Sequence, residues 1–381
     1  MGHLGVKSNE DLSRAIKQIS YHPDYLREFL GTQNFLMSDN GPLRHDYRHY
    51  IAIMAASRHQ CRCLINYHRH RFAAVGGNLQ WLQGLQFTPK KLKNLNEINK
   101  ILAHSPWLLK RCHIEKLTKG KDNWSVGELC QAMVLLAHFH CLCSFIYASQ
   151  ILDPADDCTD DSLLSDSFEE IAQETVEQLM EKMSVLQKME KESSGEERNI
   201  NPYDLQDSVE TPNDCDMESN DEISSSNNNS EDKHSKEFLI QDCTWDDHAY
   251  SLLNEYYSDV GTVLDEKFKV AYDLTYYTMG HKENVDTTIF RRAVWNYIHK
   301  IYGIIHDDYN YLEMEDLLDF GFRSYAQTVC FYPEKIKKDA HDEIMRAFRH
   351  SEKVHVNLML FEARMQAELL YALSAIMHYM T

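Results

Sequence analysis

An acidic, polar segment in the middle of the chain limits most strongly what this sequence can fold into. Residues 153–237 contain 26 acidic side chains against 6 basic ones, and Ser and Asn fill much of the remainder. A stretch of this composition buries too little apolar surface to offset the conformational entropy lost on ordering. We therefore predict a disordered linker over 153–237, a polar lead-in over 1–20, and two folded domains over 21–152 and 238–381.

The position of the charge also limits the class of partner. The whole chain has a formal net charge of −20, which equals the excess of acidic residues in the segment 153–237. The rest of the chain holds 33 basic and 33 acidic residues and is neutral. A neutral folded part has no basic surface to attract phosphates, so nucleic acid is not expected as a partner.

Composition and hydrophobic spacing predict an all-α fold. The chain has only 14 Gly and 8 Pro in 381 residues, too few for a turn-rich β protein. Apolar residues at helical spacing predict helices over 23–33, 44–72, 92–103, 126–151, 249–256, 264–279, 288–302, 311–319, 333–348 and 354–379. An amphipathic helix near 168–191 interrupts the acidic segment. Two interpretations of it stay open, a helix docked on its own protein and a helix that binds a partner.

Three features predict the cytoplasm, with the nucleus as an additional compartment. The first ten residues hold no apolar run, so no secretory signal is expected. The apolar stretch 354–379 is interrupted by charged residues, which predicts a buried helix and no membrane span. Ten cysteines without a signal are most simply reduced thiols.

The segment RHQCRCLINYHRHRF at 58–72 places Cys61, Cys63 and His68 close together. On one helix Cys61 and His68 lie on the same face, about 10 Å apart. If the helix bends or a water intervenes, the His68 imidazole could move a proton for a thiolate at Cys61. Cys63 would point about 200° away from Cys61, so no preformed dithiol is expected on a continuous helix.

Two simpler interpretations of these residues stay open. The first is that Cys61 is a small core residue. The second is a zinc site, for which two groups of side chains are available: His59, Cys61, Cys63, His68 and His70, or His138, His140, Cys141 and Cys143. Structural zinc usually takes ligands at CxxC or HxxxH spacing, which these runs lack. We therefore expect no metal and no cofactor.

Longer segments resemble a known family. RHYIAIMAASRHQC at 48–61 and LNEINKILAHSPWLL at 95–109 resemble sestrin segments. Further similar segments are TWDDHAYSLL, LDEKFKVAYDLTYYTM, VDTTIFRRAVWNYIHKIYGI, CFYPEK and FRHSEKVHVNLMLFEARMQAELLYAL. The resemblance implies two helical domains related to the AhpD-type alkylhydroperoxidases, joined by the acidic linker.

The resemblance also implies a thiol chemistry for the first domain. Cys61 would be the peroxide-reducing cysteine and His68 its relay histidine. Cys63 stands where sestrins usually have Tyr, and Leu64 stands where the bacterial relatives have a resolving cysteine. Turnover would therefore need an external reductant. An alkyl hydroperoxide reductase that uses Cys61 is the alternative function.

The resemblance implies a leucine site in the second domain. Arg291 would bind the ligand carboxylate and Glu352 its ammonium, while Thr275, Thr278 and Thr287 would form a lid. Phe290 and Met345 stand where better leucine binders have Leu and Trp. Without the resemblance, Arg291 and Glu352 would be interpreted as solvated helix charges.

The same resemblance implies a regulatory partner. Asp307, Asp308 and Tyr309 match the loop through which sestrins engage the GATOR complex. That engagement restrains TOR complex 1, and leucine releases it. The principal prediction is therefore a leucine sensor and negative regulator of TOR complex 1. A third function, weaker than the other two, is a scaffold that recruits partners through the helix at 168–191.

Overall fold

The computed structural model describes residues 12–151, 177–188, 238–239, 244–336 and 344–381, and these residues are mostly helical. The predicted all-α fold is confirmed. The α-helices are α1 (12–19), α2 (Pro23–Met37), α3 (His45–Arg58), α4 (Arg62–Ala74), α5 (Lys90–His104), α6 (Arg111–Thr118), α7 (Val126–Ala148), α8 (177–188), α9 (Tyr250–Tyr256), α10 (Val260–Asp273), α11 (Thr288–Ile301), α12 (Tyr311–Leu317), α13 (Phe320–Phe331) and α14 (His350–Met380).

Short elements connect these helices. Two-residue strands form two pairs: β1 (Phe238–Leu239) lies parallel to β4 (Ile304–Ile305), and β2 (Thr278–Met279) lies antiparallel to β3 (Lys282–Glu283). Single 3₁₀ or π turns cover Leu79–Gln83, Leu85–Phe87, Pro106–Leu108, Trp245–Ala249 and Pro333–Lys335. The β2–β3 hairpin borders one side of the cavity described below.

Helices α7 and α14 pack against each other at the centre of the molecule. A capping box begins α7, in which Ser125 Oγ accepts from the Glu128 amide at 3.2 Å and Glu128 accepts from the Ser125 amide at 2.8 Å. Among the described helices, α7 is long and apolar enough to cross a membrane, but this stretch is entirely buried inside the protein. Most of α14 is buried as well, as predicted for 354–379.

A buried hydrogen bond to an ion pair joins the segments before and after the acidic stretch. Lys267 Nζ lies 3.1 Å from Glu362 Oε1, and both side chains are fully buried. The Tyr25 hydroxyl donates to the same carboxylate, whose pKa is raised by burial. The hydrophobic core likewise runs continuously through both segments. The predicted domain limits stay a prediction, but the two segments share one core.

The prediction of one helix over 44–72 is wrong, because the chain turns between α3 and α4. Gln60 adopts a left-handed conformation with φ of 53°. The Cys61 amide then donates back to the Ala56 carbonyl at 3.0 Å and closes the end of α3. Cys61 becomes the residue that precedes α4. This corner changes the relation between Cys61 and Cys63.

Two predictions in the second half are also wrong in part. The helix predicted over 264–279 ends at Asp273, and the β2–β3 hairpin follows. The helix predicted over 333–348 is a 3₁₀ turn at Pro333–Lys335 in the residues described there.

Helix α13 was not predicted, since aromatic and β-branched residues give its sequence a weak helix preference. Asp319 begins it by accepting from the Phe322 amide at 2.7 Å.

Helix α8 is the described part of the helix predicted near 168–191. Its Met183 and Leu186 are buried, and Lys182 Nζ donates to the Asp316 carbonyl at 2.7 Å. Glu177 accepts from Lys282 Nζ at 2.9 Å. These contacts favour a helix docked on its own protein. The rest of the acidic segment, up to 237, lies outside the described residues, as do residues 1–11 of the predicted lead-in.

Candidate functional site

A cavity lies between the β2–β3 hairpin, the first turns of α11 and the first turns of α14. It has about 450 Å³ of empty volume, part of which opens to solvent. Its lining residues are His22, Thr275, Tyr276, Thr278, Met279, Thr287, Phe290, Arg291, Phe348, Glu352, His355, Val356 and Met359. The five residues predicted for a leucine site all line this one cavity.

Arg291 is the cation of the cavity and has little contact with water. Arg291 lies in the first turn of α11 and is only 6% exposed. Its Nε donates to Thr287 Oγ1 at 3.2 Å, its Nη2 to Thr288 Oγ1 at 3.1 Å, and its Nη1 to the Tyr272 carbonyl. These acceptors are neutral, and no carboxylate pairs with Arg291 within the described part of the chain. A buried guanidinium of this kind suits an anionic ligand group.

Glu352 is the anion of the cavity and begins α14. Its Oε2 accepts from the backbone amides of Arg349 and Gly280, each at 2.9 Å. Its Oε1 accepts from Thr278 Oγ1 at 2.8 Å. The carboxylate therefore caps the helix and also holds the β2–β3 hairpin against it. Negative charge at this position is favoured by the helix dipole.

The threonines predicted as a lid surround the hairpin side of the cavity. Thr275 Oγ1 lies 3.3 Å from Thr287 Oγ1 and accepts from the Tyr277 amide at 3.2 Å. Tyr277 and Gly280 have φ of 54° and 58°, so the chain bends sharply on both sides of β2. The segment that carries Thr275 and Thr278 is thus a tight bend, tied by Thr275 to Thr287 before α11 and by Thr278 to Glu352 on α14.

The apolar wall differs from the expectation in one residue. Phe290 lines the cavity as predicted, beside Val356 and Met359. Met345 is fully buried but is not among the lining residues, and Phe348 lines the cavity instead. Residues on the turn before α14 therefore shape the wall.

Two histidines complete the cavity and were not predicted. His22 comes from the first segment of the chain, and its Nε2 donates to the Ser351 carbonyl at 2.7 Å. His355 Nε2 donates to the Ala271 carbonyl at 3.0 Å, and burial lowers its pKa to about 4. Burial also lowers the pKa of His22. His22 and Ser351 are 329 positions apart, and no motif in the sequence relates them.

The loop predicted to engage a partner presents only part of its motif. Asp307 and Asp308 are exposed, whereas Tyr309 is buried. The Arg292 guanidinium lies 5.4 Å from the centre of the Tyr309 ring, and Tyr311 meets that ring edge-on at 5.1 Å. The two aspartates therefore lie at the surface, and the tyrosine holds the loop in place.

The thiol site at the corner between α3 and α4 differs from the prediction. Cys61 Sγ lies 3.5 Å from Cys63 Sγ, so the expectation that these side chains point apart is wrong. The reason is the turn at Gln60, which ends the continuous helix on which that expectation depended. A hydrogen bond with Cys143, together with burial, raises the pKa of Cys61 well above its usual value.

His68 is held by neighbours other than Cys61. Its Nδ1 lies 3.1 Å from His49 Nδ1, and its ring meets Phe139 edge-on at 4.6 Å. Burial lowers the pKa of His68 well below its usual value. In the described residues no hydrogen bond joins His68 to Cys61. The relay role of His68 and the peroxide-reducing role of Cys61 stay predictions.

Comparison with known proteins now adds to this geometry. The fold and the cavity define an all-α protein with a partly open cavity lined by one buried cation and one carboxylate. A family model described as PA26 p53-induced protein (sestrin) matches residues 5–227 and 156–380. The chain belongs to the sestrin family.

Individual relatives cover nearly the whole chain. Mouse (Mus musculus) Sestrin-1 is 44% identical over 410 residues, which cover 95% of this chain and 82% of that protein. Human (Homo sapiens) Sestrin-2 is 41% identical and covers 100% of this chain and 87% of that protein. The Drosophila melanogaster Sestrin homolog is 38% identical, and the match covers 98% of this chain and 93% of that protein. The resemblance found in the sequence is therefore confirmed.

Proposed function

We propose that this chain is an intracellular leucine sensor and a stress-responsive negative regulator of TOR complex 1, which binds the GATOR complex and releases it when leucine binds. One observation carries the proposal: Arg291 and Glu352, far apart in sequence, line the same cavity. A free amino acid needs a cation, an anion and an apolar slot within a few ångströms of one another. The cavity offers all three.

The ligand would bind with its carboxylate on Arg291, whose present acceptors are neutral oxygens. Its ammonium would add a donor to the Glu352 carboxylate. The aliphatic side chain would lie among Phe290, Val356 and Met359. Burial of a leucine side chain from water contributes about 1.5–3 kcal/mol, so the apolar wall adds substantially to affinity.

Helix α11 provides a physical link between the cavity and the GATOR-docking loop. Arg291 faces the cavity, and the next residue, Arg292, packs on the Tyr309 ring and lies 3.6 Å from Glu313. A ligand changes an equilibrium only by its differential affinity for the two states. We infer that leucine favours a position of the first turn of α11 in which the Arg292–Tyr309 contact no longer holds the loop for docking.

The regulatory part is tested by capture of the full-length chain on immobilised GATOR complex, with and without leucine. The chain should bind without leucine and elute when leucine is added. An Asp307→Asn/Asp308→Asn variant should fail to bind. The control is Asp24→Asn/Asp122→Asn, which removes the same charge from two other exposed sites and should bind normally. The proposal is contradicted if both variants bind the GATOR complex equally, or if the wild-type chain stays bound after leucine is added.

A further inference from the structure

The corner between α3 and α4 brings two thiols into contact. Cys61 precedes α4 and Cys63 lies in its first turn, and their sulfur atoms are 3.5 Å apart. We propose that Cys61 and Cys63 form a peroxide-oxidisable dithiol, in which Cys63 meets the peroxide and Cys61 resolves it to a disulfide. This inference does not depend on leucine binding, and it assigns to Cys63 the first step that the family resemblance assigns to Cys61.

The local backbone permits the disulfide without a large movement. A disulfide has sulfur atoms about 2.05 Å apart, so the two thiols must approach by roughly 1.5 Å. The corner is anchored by backbone bonds from Gln60 to Ser57 at 3.2 Å and from Cys61 to Ala56 at 3.0 Å. These bonds involve backbone atoms alone and hold the two cysteines in the same short turn. Residues on either side of Cys61, Gln60 and Arg62, are exposed.

Exposure decides which sulfur reacts first. Cys61 is 2% exposed and is enclosed by the core, while Cys63 is only partly buried. A peroxide dissolved in water therefore reaches Cys63 before Cys61. The hydrogen bond between the Cys61 and Cys143 side chains and the burial of Cys61 raise the pKa of Cys61, so it stays a protonated thiol at neutral pH. Cys61 is thus placed to act second, on a neighbour already oxidised.

The reaction balances with a hydroperoxide as the oxidant. The Cys63 sulfur attacks one peroxide oxygen and the O–O bond breaks. The sulfur becomes a sulfenic acid, and the other oxygen takes the thiol proton and leaves as an alcohol, or as water from hydrogen peroxide. The Cys61 sulfur then attacks the Cys63 sulfur, the S–O bond breaks, and the hydroxyl leaves with the Cys61 proton as water. A dithiol reductant returns both thiols.

Mass spectrometry of the full-length protein tests the product. After treatment with cumene hydroperoxide and digestion by trypsin without reductant, cleavage after Arg62 separates the two cysteines. The proposal predicts that peptides 59–62 and 63–69 stay joined, and that dithiothreitol separates them. A Cys61–Cys143 link, or no link at peroxide concentrations that oxidise the partly buried Cys112, would overturn it.

Single variants test the order of the steps. In Cys61→Ser, treatment with peroxide and dimedone should label Cys63 as a trapped sulfenic acid. In Cys63→Ser, Cys61 should stay unlabelled under the same conditions. Cys112→Ser is the control and should still form the link. Labelling of Cys61 in the Cys63→Ser variant would reverse the assignment. Unchanged helical circular dichroism of each variant excludes misfolding as the cause.

Discussion

At the scale of single residues, Arg291 and Glu352 are alike in making hydrogen bonds but, within the described part of the chain, no salt bridge. Arg291 donates to hydroxyl and carbonyl oxygens, and Glu352 accepts from two amides and a hydroxyl. Burying a charge is costly unless it is paired, so the buried Arg291 gains most when a ligand supplies an opposite charge, and the half-buried Glu352 gains less. A zwitterion supplies both partners at once.

We predict that Glu352→Gln weakens leucine binding about 10- to 100-fold, since a hydrogen bond to a charged group contributes about 1.5–3 kcal/mol. The amide oxygen of Gln can still accept from the Gly280 and Arg349 amides, and its amide nitrogen can donate to Thr278 Oγ1 instead, which preserves the hairpin. The measurement is the rise in melting temperature caused by added leucine. Glu266→Gln, at an exposed position on α10, is the control and should respond like wild type. If leucine raises the melting temperature of Glu352→Gln as much as that of the wild type, the Glu352 carboxylate does not bind the ligand.

At the scale of elements, hydrophobic periodicity predicted most of the helices but could not predict where tertiary contacts interrupt them. The apolar stripe has one longer gap, between Met54 and Cys61, but nothing local marks Gln60 as left-handed. The same limit applies to the cavity. Family resemblance predicted Arg291 and Glu352 from local motifs, whereas His22 joins them only because α2 packs near the start of α14.

We predict that Gln60→Gly stabilises the corner between α3 and α4 by about 1 kcal/mol, because glycine adopts the observed φ of 53° without steric cost. The free energy of unfolding is measured by urea denaturation. Arg62→Gly, in the first turn of α4 at ordinary helical geometry, should be destabilising instead. Equal effects of the two substitutions would mean that the corner is not strained at Gln60.

At the scale of the whole molecule, buried polar groups tie the segments on either side of the acidic stretch together. Lys267 and Glu362 form a buried pair to which Tyr25 donates. Nearby, Arg364 Nε lies 2.7 Å from Glu368 Oε1, and Glu368 Oε2 lies 3.1 Å from His140 Nδ1. Both ion pairs lie within the second segment, and the bonds from Tyr25 and His140 tie the first segment to them. His22 of the first segment also lines the cavity, so both segments build it.

We predict that Lys267→Met destabilises the protein by about 3–5 kcal/mol, because it leaves Glu362 without its partner in the core. Lys267→Met/Glu362→Leu should recover much of that loss, since a well-packed apolar pair can replace a buried ion pair. Urea denaturation of the three proteins gives the comparison. If the double variant loses as much free energy of unfolding as Lys267→Met or more, the two charges do not act as a pair.

The central claim is that one cavity of this protein binds leucine through Arg291 and Glu352. Calorimetric titration of leucine into the full-length chain tests it most directly. The account predicts saturable binding at one site per chain, lost in Arg291→Met and kept in Lys300→Met, which removes a cation elsewhere on α11. No binding by the wild type, or equal binding by Arg291→Met, would contradict it.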